Sequence, residues 1–153
     1  MRQRTDSNRN SQVCLAWLIL ACCCLCSCSS SGSEGLGVYP KAVGAADEGS
    51  AIQNLRTIAG AQTQAKAMRN SYGDFDTLVQ LGFLDRRFAG TNPNLRGYRF
   101  TIVVNENEYS VTADPQPTEN APATGSRHFY LDSTDNVVHV NATQTASRKD
   151  PAL

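Results

Sequence analysis

The stretch Gly97–Asp114, GYRFTIVVNENEYSVTAD, decides the fold because it holds two alternating apolar segments separated by a polar turn. Apolar and polar side chains alternate on both sides of Asn105–Glu108, as they do in half-buried β-strands. Folding the chain back at this turn places apolar residues opposite each other on one face. The facing pairs are Val104 with Tyr109, Ile102 with Val111, and Phe100 with Ala113. This register predicts an antiparallel hairpin with one buried and one solvated face.

A second hairpin is predicted further along the chain. Phe129 and Leu131 meet Val140 and Val138 across the turn Ser133–Asn136, so the register again buries a single face. Two hairpins that pass the same test indicate an antiparallel sheet.

The segments beside this hairpin are polar. Residues 115–126 form a loop that contains three prolines, and residues 142–153 form a polar tail that we expect to fray. Neither segment has the alternation of a strand or the spacing of a helix.

The segment before the hairpins predicts the main helix, over residues 50–70, with Asp47 or Ser50 as its N-cap. Small residues such as Ala61 let such a helix lie close to a sheet. One stripe at helical spacing is apolar, small or amide-bearing. It consists of Ile52, Leu55, Ile58, Ala59, Gln62, Ala65, and Met68 or Arg69.

A second, short helix is predicted after Asp74 or Asp76, and it ends at Gly82. The fold class is therefore α+β, with one main N-terminal helix packed on a small antiparallel sheet of two hairpins. This domain occupies residues 50–141.

Length and charge bound the possible functions. The chain has 153 residues, enough for one ordinary domain, and 14 basic residues balance 14 acidic ones. Because no basic surplus is available to neutralise phosphates, we do not expect a nucleic-acid partner.

The N-terminal residues indicate export. Three arginines precede a run of 13 apolar residues, Val13–Leu25, which is too short to span a bilayer but typical of a secretory signal peptide. All six cysteines lie in the first 28 residues. They are Cys14, Cys22, Cys23, Cys24, Cys26 and Cys28. A disulfide scaffold or a thiolate zinc site in the remaining chain is therefore excluded.

The end of the apolar run, Leu25-Cys26-Ser27-Cys28, resembles the lipobox of bacterial lipoproteins. The resemblance implies a signal peptide over residues 1–27, acylation of Cys28 and membrane attachment through that lipid. Cys22 is a second candidate for the lipidated residue. Residues 28–49 would then form a flexible tether rich in Ser, Gly and Ala.

The predicted location is the cell envelope, with the head in the periplasm or at the surface. By analogy with enteric lipoproteins, Ser29 after the lipidated cysteine slightly favours the outer membrane.

A helix followed by a small antiparallel sheet is also the architecture of type IV pilins and type II secretion pseudopilins. The head is similar to theirs in Leu55-Arg56-Thr57-Ile58, in Gly97-Tyr98-Arg99-Phe100, in Tyr109-Ser110-Val111-Thr112-Ala113 and in Arg127-His128-Phe129-Tyr130-Leu131-Asp132. The long apolar stem that begins with Phe-Thr-Leu and a Glu is missing, since a hydrophilic tether precedes the helix. The resemblance thus implies a head carried on a lipid that does not polymerise through a pilin stem.

Residues with possible chemistry cluster in the second hairpin. His128 and His139 alternate onto the face opposite Phe129, and we interpret them as solvated strand histidines. Asp132, lying on the same face, would be the third ligand of any metal site there.

Asp132, Asp135 and Asn136 are weak candidates for calcium ligands, because calcium prefers oxygen donors. The charge pairs Arg86-Arg87 and Arg148-Lys149 are interpreted as solvated.

No hydrolase elbow, zinc-protease motif or phosphate loop is present in the sequence, so no catalytic residue and no cofactor are predicted. The predicted function is a non-enzymatic interaction or assembly module of the envelope, linked to secretion or pilus machinery, with envelope proteins as partners. The alternative is a periplasmic small-ligand or calcium-binding protein, or an enzyme of an unrecognised kind.

Overall fold

The computed structural model describes residues 38–117 and 122–153, in which a long helix packs on one antiparallel sheet. The elements are α1 (Val38–Arg69), α2 (Phe75–Gln80), a 3-10 turn (Arg86–Phe88), β1 (Asn94–Leu95), β2 (Tyr98–Val104), β3 (Tyr109–Pro115), β4 (His128–Asp132) and β5 (His139–Asn141). The five strands pair in chain order, β1-β2-β3-β4-β5, and all neighbours are antiparallel. The predicted α+β class is confirmed.

Both hairpin registers are confirmed. Val104 pairs with Tyr109 in the first hairpin, and Phe129 pairs with Val140 in the second. The two hairpins join into one sheet because β3 and β4 pair directly, with Ala113 opposite Phe129. Alternating burial on one face thus determined the strand pairing within each hairpin.

Strand β1 was not predicted. It is two residues long, too short for an alternation pattern, and the two-residue turn Arg96-Gly97 connects it to β2. Both turn residues have positive φ, 50° and 74°, as in the type I′ turns that join tight hairpins.

The predicted start of the main helix was wrong. The helix begins at Val38, twelve residues before Ser50, so Asp47 and Ser50 lie inside it and are not N-caps. Pro40 lies in the first turn, where its missing N–H leaves no helical hydrogen bond unmade, and the alanines that follow are strong helix formers. Residues 38–49 of the predicted tether are therefore helical, and residues 28–37 lie outside the described residues.

The core lies between α1 and the inner face of the sheet. Leu55, Ile58 and Ala65 of the predicted stripe are buried there, but Met68 is 70% exposed, so the stripe ends one turn earlier than predicted. The sheet contributes Tyr98, Phe100, Val111, Ala113, Phe129 and Leu131. The small side chains of the helix bring its backbone close to the strands, as the sequence predicts.

The short helix α2 is confirmed at both ends. Asp74 is its N-cap and accepts a hydrogen bond from the Thr77 amide at 2.8 Å, and Gly82 follows it with a φ of 75°. Glycine is favoured there because a side chain is strained at positive φ.

The C-terminal tail does not fray as predicted. The Val140 amide donates to the Pro151 carbonyl, and the Leu153 amide donates to the Val138 carbonyl, both at 2.9 Å. Ala146 is buried. The tail lies along β5 because an edge strand offers free backbone groups, and pairing with the tail satisfies them.

A buried amide connects α1 to the chain that follows it. Gln62 is fully buried, its Nε2 donates to the Gly73 carbonyl at 2.6 Å, and its Oε1 accepts from the Gly73 amide at 3.0 Å. The side chain therefore satisfies both backbone groups of a buried turn residue.

We expect Gln62→Ala to lower the free energy of unfolding by about 2–4 kcal/mol, because it leaves the buried N–H and C=O of Gly73 unpaired and opens a cavity. The matched control is Gln64→Ala, an exposed glutamine of the same helix, whose effect should stay within about 0.5 kcal/mol. Urea unfolding of the three proteins measures the difference. Equal losses in the two variants would contradict the role assigned to Gln62.

Candidate functional site

Of the sequence-predicted site residues, His128, Asp132 and His139 lie on the outer face of the sheet, whereas Asp135 and Asn136 lie in the turn between β4 and β5. The expected cross-strand neighbours are confirmed, since Tyr130 pairs with His139 and His128 pairs with Asn141. The prediction of solvated histidines was wrong for His139, which is 7% exposed because the tail covers this part of the face.

Each histidine has its own carboxylate partner. His128 Nδ1 lies 2.6 Å from Asp114 Oδ1, whereas His139 Nε2 lies 3.0 Å from Asp135 Oδ2. His139 Nδ1 donates to the Asp150 carbonyl at 2.8 Å. The two histidines therefore do not share the third ligand that the sequence suggested.

Both carboxylate oxygens of Asp132 accept hydrogen bonds from other residues of the chain. Its side chain is almost fully buried, Oδ1 accepts from the Thr134 amide at 2.8 Å, and Oδ2 accepts from Tyr130 Oη at 2.8 Å and from Arg148 Nε at 2.6 Å. Arg148 was expected to be solvated. Its side chain is 48% exposed, as expected, and its guanidinium also attaches the tail to the sheet.

Two of the calcium candidates, Asp132 and Asp135, accept backbone hydrogen bonds within the second hairpin. Asp135 Oδ1 accepts from the Val137 amide, and Asn136 is an exposed turn residue with a φ of 56°. Within residues 38–117 and 122–153, no three His, Cys, Asp or Glu side chains form a group that could hold a metal ion. The predicted lipidation site Cys28 and its alternative Cys22 lie outside the described residues.

The surroundings of His139 favour its charged form. The Asp150 carbonyl can only accept a hydrogen bond, and the Asp135 carboxylate faces the other ring nitrogen, so these two contacts raise the pKa of His139. Hydrogen bonds from the Val137 amide and from His139 lower the pKa of Asp135. Burial favours the neutral acid at Asp132, but bonds from Thr134, Arg148 and Tyr130 outweigh it and lower that pKa as well.

The structure has a second polar region that was not predicted from the sequence. We call it the α1–β1 groove, an open cleft of about 740 Å³ bordered by the face of α1 from Ala46 to Asn54, by Arg87 and by residues 94–96. Its lining is rich in amides, and among the described residues it includes two arginines and no carboxylate. The groove can therefore bind anionic and hydrogen-bonding groups.

Local structure positions both arginines. The 3-10 turn holds Arg87, whose Nη2 lies 3.5 Å from Asn54 Oδ1 and whose guanidinium stacks on the Phe88 ring at 5.2 Å. Arg96 has a strained positive φ in the turn before β2, and its Nη1 lies 3.8 Å from Asp47 Oδ1. The pair Arg86-Arg87 was interpreted as solvated, and the sequence offered no signal that joins these segments.

No known protein family matches this chain, and no similar sequence is found among curated proteins. In the described part of the chain, no helix is both long enough and apolar enough to cross a membrane.

We expect the melting temperature to fall by a few degrees as the pH rises from 6 to 8. Because the pKa of His139 is raised in the folded state, its stabilising contribution is complete below about pH 6.5 and is lost as the pH rises through the folded-state value. The lowered pKa values of Asp132 and Asp135 act oppositely, and their contributions are lost only below about pH 4.

The variant His139→Gln should lose most of this decline, and Asp135→Asn should lose part of it, because the Asp135 carboxylate helps to raise the pKa of His139. Thermal unfolding followed by circular dichroism across the pH range measures both variants. A decline that persists unchanged in His139→Gln would assign the pH dependence to another group.

Proposed function

We propose that this chain is a lipid-anchored lipoprotein of the bacterial envelope whose pilin-like head is a non-enzymatic interaction or assembly module, linked to secretion or pilus machinery. The observation that carries the proposal is the architecture, a long N-terminal helix packed on one face of an antiparallel sheet. Heads of pilins and pseudopilins resemble it, and these proteins work by assembling with others.

The N-terminal sequence supports the lipid anchor. Cleavage before Cys28 would remove three arginines and one aspartate, which leaves 11 basic and 13 acidic residues and a net charge of −2. Such a chain has no electrostatic attraction to anionic lipid, so attachment depends on the acyl chains. Each buried methylene contributes about 0.8 kcal/mol, and two or three chains therefore hold a protein firmly at a membrane.

Anchoring also supports the interaction role. A head restricted to a membrane surface meets other envelope proteins at a raised effective concentration, so that weak contacts become sufficient for assembly. The buried polar side chains of the outer face already have partners within the chain, since Asp132 bonds to Arg148 and His139 bonds to Asp135. These contacts stabilise the head. The polar surfaces that remain exposed are available for binding partners.

The anchor is tested by labelling with palmitate during expression of the full chain in a bacterium that processes lipoproteins. We expect the wild-type chain and Cys22→Ala to incorporate the label and Cys28→Ala to lose it, because acylation requires the thiol of the first mature residue. Mass spectrometry of the mature N-terminus identifies the modified residue. Loss of label in Cys22→Ala alone would move the site, and absence of label in the wild type would contradict the anchor.

The assembly role is tested separately, by gentle detergent extraction of membranes that contain the lipidated chain. We expect secretion or pilus components to co-purify with the wild type and not with Cys28→Ala. Recovery of the lipidated protein alone would contradict the assembly module while leaving the anchor intact.

A further inference from the structure

The two edges of the sheet differ. The edge at β5 is paired with the chain's own tail, through His139 and Ala152. At the opposite edge, the Phe100 amide donates to the Pro93 carbonyl at 2.9 Å, and Leu95 pairs with Tyr98. Since successive residues of a strand direct their backbone groups to opposite sides, Asn94 directs its N–H and C=O away from β2. Asn94 is also one of the residues that line the α1–β1 groove.

The charge of the groove is positive. Arg87 lies beside Asn54 and Arg96 beside Asp47, and these two α1 residues are seven positions apart, which corresponds to about 10 Å along the helix. Arg96 is 67% exposed and meets Asp47 only at 3.8 Å, so that its guanidinium is available to another carboxylate. Ligands with carboxylates at both ends of the groove would therefore be favoured over neutral ones.

The groove has the dimensions of a short extended peptide. The bordering face of α1 rises about 12 Å between Ala46 and Asn54, and an extended chain rises about 3.3 Å per residue, so three to four peptide residues fit along it. The side chains of Ser50 and Gln53 supply hydroxyl and amide groups that can bond a peptide backbone. A strand edge beside a polar groove is a recurring way to bind an extended segment.

We propose that the α1–β1 groove binds an extended acidic segment of a partner protein, whose main chain pairs with Asn94 and whose carboxylates bind Arg87 and Arg96. The inference rests on the proposed function as an interaction module, and it specifies the chemistry of the partner.

The test uses the purified full chain in detergent and four fluorescein-labelled peptides. Each peptide carries two glutamates in a Thr and Val background, separated by none, one, two or three residues, and each has a counterpart with glutamine in place of glutamate. Fluorescence anisotropy should show binding of at least one acidic peptide at least tenfold tighter than its glutamine counterpart, and added salt should weaken it. No binding of any acidic peptide at 1 mM, or equal binding of the two series, overturns the proposal.

Variants locate the site. The double variant Arg87→Gln with Arg96→Asn should weaken the acidic peptide at least tenfold, and asparagine tolerates the positive φ that the turn requires. Arg86→Gln is the matched control, because Arg86 is the adjacent exposed arginine and does not line the groove. If the double variant and Arg86→Gln weaken binding equally, the proposed peptide site is wrong. It is also wrong if citrate displaces the peptide with the same affinity as the peptide itself. Thermal unfolding confirms that the variants are folded.

Failure of the groove and failure of the proposed function remain distinguishable. The envelope co-purification is repeated with the double variant in its lipidated form. If it recovers the same secretion or pilus components as the wild type, the groove inference is wrong and the assembly module stands. If the wild type carries no palmitate or recovers no such components, the proposed function fails whatever the peptides show.

Discussion

The close packing of α1 on β3 and β4 is the constraint on which the rest of the structure depends. Ala61 and Ala65 of α1 are buried, and larger side chains at these positions would push the helix away from the elements packed on it. Because the helix crosses the later strands, the aromatic residues that precede β1 fill the space over Phe100, where Phe88 meets it edge to face at 6.3 Å.

A single buried carboxylate fixes the other half of the helix. Glu48 accepts hydrogen bonds from the amides of Ser126 and Arg127, and its Oε2 lies 2.7 Å from both Nε and Nη2 of Arg127. Burial favours the neutral acid, but these bonds outweigh it and lower the pKa of Glu48. The loop before β4 is thereby attached to α1. Because β4 also pairs with β3, one charged contact aligns the helix with both hairpins.

The parts of the fold that were predictable from the sequence are those with local causes. The register of Phe100 with Ala113 follows from the alternation of apolar and polar side chains. The N-cap at Asp74 follows from its carboxylate, which can bond to a backbone amide in the first turn of the helix. The helix start was missed because residues 38–49 combine glycine and proline with alanine. The burial of Glu48 becomes visible only when Arg127 is brought beside it. Long-range contacts of this kind have no signature in a single segment.

The candidate site was less predictable for the same reason. The groove combines α1, a 3-10 turn and a two-residue strand, and only the Arg96-Gly97 turn carries a local pattern. The edges of the sheet explain why the chain is built this way. An open strand edge invites uncontrolled pairing, and the tail removes that hazard at β5. Strand β1 is so short that only one residue, Asn94, offers free backbone groups. The arginines that flank it then select the segment that pairs with the strand. A short edge with charged neighbours therefore permits a specific partner where a long one would promote aggregation.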